Sequence, residues 1–201
     1  MEVLLPTLDG IAARHGTESA AWAFAAGWGA EWLQRARRLA PSPVRPASIV
    51  IGDASRDALD PDAAHIRALE LFCLRAGIKV LSLSARGVVG VGEAASLHHP
   101  DVIVLAGSHL DDDAIARWAY GVRLAVGALP LAVYRRSHQR EAMRTTGATV
   151  LPACAHAAQY RLLELIDARH LAHPEAPLRP ARTLQPAGRH LRTATGTLDA
   201  G

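Results

Sequence analysis

The groups in this chain able to do acid–base, nucleophilic or metal chemistry are ten histidines, nineteen carboxylates and two cysteines among 201 residues. Their spacing argues against most of that chemistry. Cys73 and Cys154 stand singly in apolar segments, so a disulfide framework and a structural zinc site both lack the residues they need. His98 and His99 are adjacent and read as a solvated helix end, and His170 and His173 lie toward the C-terminal end, so no metal-ligand pattern emerges. Ser108 beside His109, with His156 further on, has the residue types of nucleophilic catalysis. There is, however, no Gly-x-Ser-x-Gly elbow and no acid spaced to orient an imidazole. Gly87-Val88-Val89-Gly90-Val91-Gly92 follows the second expected strand, whereas a phosphate-cradling loop follows the first and opens directly into a helix; a plain turn is expected here. Asp53 follows the first strand as the acid of a phospho-receiver domain does. The matching aspartate and lysine are missing, because Gly107-Ser108 and Pro152-Ala153 stand in their places. Gly27-Trp28-Gly29 interrupts a helical pattern at about 1 kcal/mol per glycine relative to alanine. That motif has two readings: helix–helix packing with the tryptophan in the core, or close approach of a flat ligand on which Trp28 stacks.

The chain that must position these groups is half apolar and 20% charged, with a formal net charge of +3. It is long enough for one compact domain with a small helical extension. No run of about 18 apolar residues is free of charge, so a membrane span is not expected. The opening Met1-Glu2-Val3-Leu4-Leu5-Pro6 lacks a basic leader, so no secretory signal is expected and the cytoplasm is the default location. Four arginines against Glu175 and Asp199 give residues 174–201 a local +2, leaving the rest nearly neutral. Direct nucleic-acid binding is therefore not expected.

Three zones follow. Residues 1–42 read as a helical cap, clearest from Glu18 to Arg38, where Trp28 and Trp32 share a face and Trp22 lies well round the helix. Pro41-Ser42-Pro43 and Pro46 break the pattern. Residues 43–173 alternate short β-rich runs with helices. The strands are Ser48–Ile51, Lys79–Leu83, Asp101–Ala106, Leu129–Tyr134 and Thr149–Leu151. The helices are Pro61–Ala76 (ended by Gly77), Glu93–His98, one starting at Asp111-Asp112-Asp113, His138–Thr145 and His156–Arg169. Continuous apolar strands between helices predict an α/β domain with a doubly wound five-stranded parallel sheet, of flavodoxin-like order 2-1-3-4-5, which binds ligands outside the carboxyl ends of its strands. Residues 174–201, rich in Pro, Arg, Thr and Gly, read as a disordered basic tail.

A helical module opening Val3-Leu4-Leu5-Pro6-Thr7-Leu8, joined by a proline linker to a five-strand parallel domain, resembles the ligand-sensing half of the cobalamin-binding regulators, as in the light-responsive MerR-type photoreceptors. The resemblance spans roughly residues 3–171. It implies a Rossmann-like cobalamin-binding domain holding the lower corrin face and nucleotide tail, with the cap over the upper face. The family's Asp-x-His-x-x-Gly after the first strand, whose His ligates cobalt from below, is matched by Asp53, with Ser55 in the His place; in a second register, Asp62 takes the His place and His65 the Gly place. The family's Ser-x-Leu is present as Ser108-His109-Leu110. Its Gly-Gly after the fourth strand is replaced by Tyr134-Arg135-Arg136, which would fill the tail channel, and the cap's Glu-His pair is missing near His15 and Ala21-Trp22.

The resemblance thus implies a non-catalytic cytoplasmic sensor that binds cobalamin or a related tetrapyrrole between cap and sheet and regulates, transcription included, through a protein partner or self-association. Trp22, Trp28 and Trp32 would cover the planar face, Arg135 would meet propionates or phosphate, and His65 and His109 are candidate metal ligands, with His138 and His156 in reach of the same edge. Two other readings stand beside it: a ligand-independent interaction scaffold on a degenerate fold, and a corrinoid carrier subunit of a methyltransferase or mutase.

Overall fold

The computed structural model describes residues 1, 3–55, 57, 59–84, 87–107, 110–134 and 146–172, with the side chain of Asp112 excepted. Its elements in chain order are α1 (Leu4–His15), α2 (Ala20–Arg38), β1 (Ser48–Asp53), α3 (Pro61–Arg75), β2 (Lys79–Leu83), α4 (Val88–His98), β3 (Val102–Ala106), α5 (Asp112–Val126), β4 (Leu131–Tyr134), β5 (Thr149–Val150) and α6 (Ala155–Ala172). The strands form one five-stranded sheet of order β2-β1-β3-β4-β5, parallel throughout. The expected helix His138–Thr145 and the tail 174–201 lie outside the described residues, as do Ser108, His109, Arg135, Arg136 and His138.

Alternate strand residues point to opposite faces, and both faces are covered. Ile49, Ile51, Val104 and Ala132 pack under α3 and α6, while Val50, Ile103, Leu105 and Val133 pack under α4 and α5. Gly52 makes room on the second face: a Cβ there would stand 3.2 Å from the Trp118 ring of α5. The helix ends use local polar chemistry. Asp60 caps α3 by accepting from the Asp62 amide, with Pro61 in the first turn, and Asp111 caps α5 by accepting from the Ala114 amide. At the amino edge, Asp101 accepts from the Ser48 amide and meets His170 Nε2 at 3.0 Å, tying the end of α6 to the start of β1.

One expectation about the glycine-rich segment is corrected. Residues 88–92 do not form a turn: Gly87 is the N-cap of α4, and the helix begins at Val88 rather than Glu93. Burial of Val91 and partial burial of Val88 against the α4–α5 face outweigh the helix penalty of Gly90 and Gly92.

The helical pair α1–α2 packs on α3, with Leu5 and Leu33 joining the core on that side of the sheet. No described helix is long and apolar enough to cross a membrane.

Candidate functional site

The carboxyl ends of the strands carry the loops where a doubly wound sheet receives its ligands. The loop after β1 is built from acidic side chains turned back on their own backbone. The Ser55 amide donates to Asp53 Oδ1 (2.8 Å), the Leu59 amide to Asp57 Oδ1 (2.7 Å) and the Asp62 amide to Asp60 Oδ1 (3.0 Å). These turn hydrogen bonds shape the loop. Asp53 and Ser55 are half-buried within it. At the switch point between β1 and β3, Gly107 adopts φ +153° and sits so close to Ala54 that a Cβ would lie 2.9 Å from the Ala54 Cβ. Leu110 is half-buried against the α4–α5 side of the core.

The loop is tied to the helical pair at two points. Trp22, 1% exposed, donates from Nε1 to the Leu59 carbonyl at 2.7 Å. His65, 6% exposed in the second turn of α3, holds Asp9 of α1 with Nε2 at 2.9 Å from Oδ1, and its buried Nδ1 has no hydrogen-bond partner among the described residues. Near the far end of α2, Arg37 Nη2 lies 2.8 Å from Oε1 of the buried Glu70. Burial pushes the Glu70 carboxyl up from its ordinary value; Arg37, the Ser82 hydroxyl and Arg67 pull it back, and Asp53 adds to the rise. One turn on, burial and the charge of Glu70 push the Cys73 thiol up to about 12.

Several expected site residues therefore have other roles here. Trp22 is not a cover for a planar ligand but a core side chain, because the opposite face of α2 points outward. Trp28 and Trp32 are on that outward side, 56% and 39% exposed. Gly29 belongs to helix packing, since a Cβ there would lie 3.1 Å from Leu8 of α1, while Gly27 has open space around it. His65 is placed between α1 and α3 rather than facing an open edge. Its Nε2 is engaged by Asp9 and its Nδ1 is buried, and no group of three or more metal-ligating side chains occurs among the described residues. Among the described residues α3 is interposed between cap and sheet, and Leu8, Trp22, Ala25 and Ala26 fill the contact with its Ala64. Tyr134 is buried, its hydroxyl donating to the Ala153 carbonyl at 3.0 Å, so the ring occupies the end of β4. His156 is exposed and stacks between Phe72 and Tyr160 at centroid distances of 5.0 and 4.9 Å.

The sequence reading missed Asp9, Arg37 and Glu70. Glu70 left a legible signal, a lone acid in the apolar run Leu69-Glu70-Leu71-Phe72-Cys73, which requires a partner once that run is buried. Asp9 and Arg37 left none, because their partners are 56 and 33 positions away in the chain.

No family model matches this chain, and no curated protein matches it.

Proposed function

We propose that this chain is a non-catalytic regulatory protein in which the carboxyl edge of the sheet receives a ligand and the α1–α2 pair passes the change to a protein partner. One observation carries the reading. The pair is fastened to the first edge loop by Trp22 Nε1 on the Leu59 carbonyl, and to the start of α3 by Asp9 on His65. A ligand that rearranges the loop after β1 must either strain or release these bonds, which couples the edge to the helices.

The ligand class that the sequence resemblance implies is a tetrapyrrole, cobalamin or a relative. The described residues do not fit cobalamin held by an imidazole beneath the metal. Ser55 stands in the ligand position within the Asp53 turn, His65 is engaged by Asp9, and the Tyr134 ring fills the place of two glycines. A tetrapyrrole bound here therefore rests on contacts other than that imidazole. The ligand-independent scaffold is the second reading, favoured by the direct packing of α2 on α3, which leaves no slot between them.

An absorption titration separates the two. Purified protein is titrated with hydroxocobalamin, adenosylcobalamin, haem and biliverdin in turn. A saturable spectral shift with any of them, accompanied by altered amide exchange in α1 and α2, is the expected result. The absence of a shift with all four removes the tetrapyrrole and leaves the scaffold.

A further inference from the structure

Helix α2 has two apolar faces, and only one is used. Trp22, Ala25, Ala26, Gly29 and Leu33 point inward. Phe24, Trp28 and Trp32 recur every four residues on the other side, with Phe24 79% exposed. Beside this stripe, Leu4, Thr7 and Ile11 of α1 face Phe24 and Trp28 across an apolar groove of about 410 Å³. We propose that the groove and stripe pair with the same face of a second copy of this chain, α2 antiparallel to α2, about a two-fold axis near Trp28.

Three features select this occupant. First, Trp28 is close to the middle of the 19-residue helix, so an antiparallel pair centred there overlaps along nearly its whole length. The two Trp28 side chains then meet at the axis, and Phe24 of each copy shares a layer with Trp32 of the other. Two helical hairpins joined this way complete a four-helix bundle, the arrangement that covers an apolar stripe on both members of a hairpin. Second, an acid and a base stand at equal distances from Trp28. Glu18 precedes the helix and Arg38 ends it, each ten residues, or about 15 Å, from Trp28. Antiparallel pairing brings Glu18 of one copy level with Arg38 of the other, whereas parallel pairing sets Arg38 beside Arg38. Third, the stripe supplies more than half of the area that a small dimer needs. The exposed parts of Phe24, Trp28 and Trp32 amount to about 350 Å² per copy. Two copies together thus contribute about 700 Å² toward the roughly 1,200 Å² in total of the smallest specific interfaces, and Leu4, Thr7, Ile11 and Ala21 line the groove beside them.

The pairing deepens the regulatory reading by naming the protein that the helical pair contacts, and it rests on that reading only there. The test is the mass of the full chain in solution by size-exclusion chromatography with light scattering, under reducing conditions because Cys154 is exposed. The expected value is twice the chain mass of 21.4 kDa. Phe24→Glu with Trp28→Glu is expected to give a monomer with unchanged far-ultraviolet circular dichroism at 25 °C, and with a Tm that no longer depends on protein concentration. Glu18→Arg is expected to weaken the dimer about tenfold, and Glu18→Arg with Arg38→Glu to restore it. A monomer at every concentration, a dimer indifferent to the double glutamate variant, or a charge swap that fails to restore pairing overturns the proposal. A monomer that still shifts its spectrum with a tetrapyrrole discards the pairing and keeps ligand sensing; a dimer without any shift does the reverse.

Discussion

Replacing Arg37 with methionine isolates the electrostatic link between α2 and α3. The substitution keeps an apolar stem on α2 and removes the guanidinium 2.8 Å from Glu70 Oε1. Glu70 is buried on α3, and burial already holds its carboxyl above the ordinary range, with Arg37 the strongest of the groups that oppose the rise. Breaking an ion pair that is buried on both sides costs about 3–5 kcal/mol. The Arg37 side chain is half exposed, so solvent screens its attraction, and a loss of about 1–3 kcal/mol near neutral pH is expected. For a chain of this size a loss of about 2 kcal/mol lowers Tm by roughly 4–8 °C. The pH dependence follows from the direction of the shift. A carboxyl whose folded pKa is raised favours the folded state below its unfolded value of 4.5, and that contribution is lost as the pH rises through the folded pKa. Arg37→Met raises the folded pKa further, so its deficit is small at about pH 5 and grows toward pH 7.5. Urea unfolding at the two pH values measures the difference, and Arg37→Met with Glu70→Gln is expected to recover most of the loss at the higher pH. Equal losses at both pH values, or no recovery in the double variant, would refute the charge argument and assign the effect of Arg37 to packing of its stem.

Three further outcomes are expected. Trp22→Phe removes the donor to the Leu59 carbonyl and should cost about 1–2 kcal/mol in urea unfolding, with faster amide exchange confined to the loop after β1 and the start of α2; protection unchanged there would mean the bond does not fasten the pair to the loop. Gly107→Ala places a methyl 2.9 Å from the Ala54 Cβ at a backbone conformation L residues rarely adopt, and should lower stability by about 1–3 kcal/mol; a neutral substitution would show that the β1 and β3 ends do not approach so closely. In the native protein at neutral pH, Ellman's reagent should titrate Cys154 alone, with Cys73 reacting only on unfolding, since its thiol is buried and pushed up to about 12; rapid reaction of two thiols would contradict the packing of α3.

The core of the fold was legible because its signals are local. Short apolar strands alternate with helices that carry Asp60 and Asp111 as caps, and this order implies a parallel sheet buried on both faces. Right-handed crossovers leave few arrangements of five such units, and the expected order 2-1-3-4-5 is the one observed. The start of α4 was misread because two glycines outweighed, in a local reading, the burial of Val91. The candidate site was less legible. Asp53 and Ser55 do sit at the carboxyl edge, but their hydrogen bonds close a turn, and residue type alone does not distinguish a turn-forming aspartate from a ligand-binding one.

The sequence by itself determined most of the secondary structure, the parallel sheet and the presence of a tryptophan-bearing helical cap, since these depend largely on periodicity and caps among neighbouring residues. Only the tertiary structure decided what those side chains are for. Trp22 and Trp28 lie six residues apart on one helix; periodicity puts them on different faces but does not say which face is buried. Docking of α2 on α3 buries the first against Leu59 and turns the second outward. His65 and Glu70 likewise have their roles set by Asp9 and Arg37, partners that chain separation hides and packing supplies.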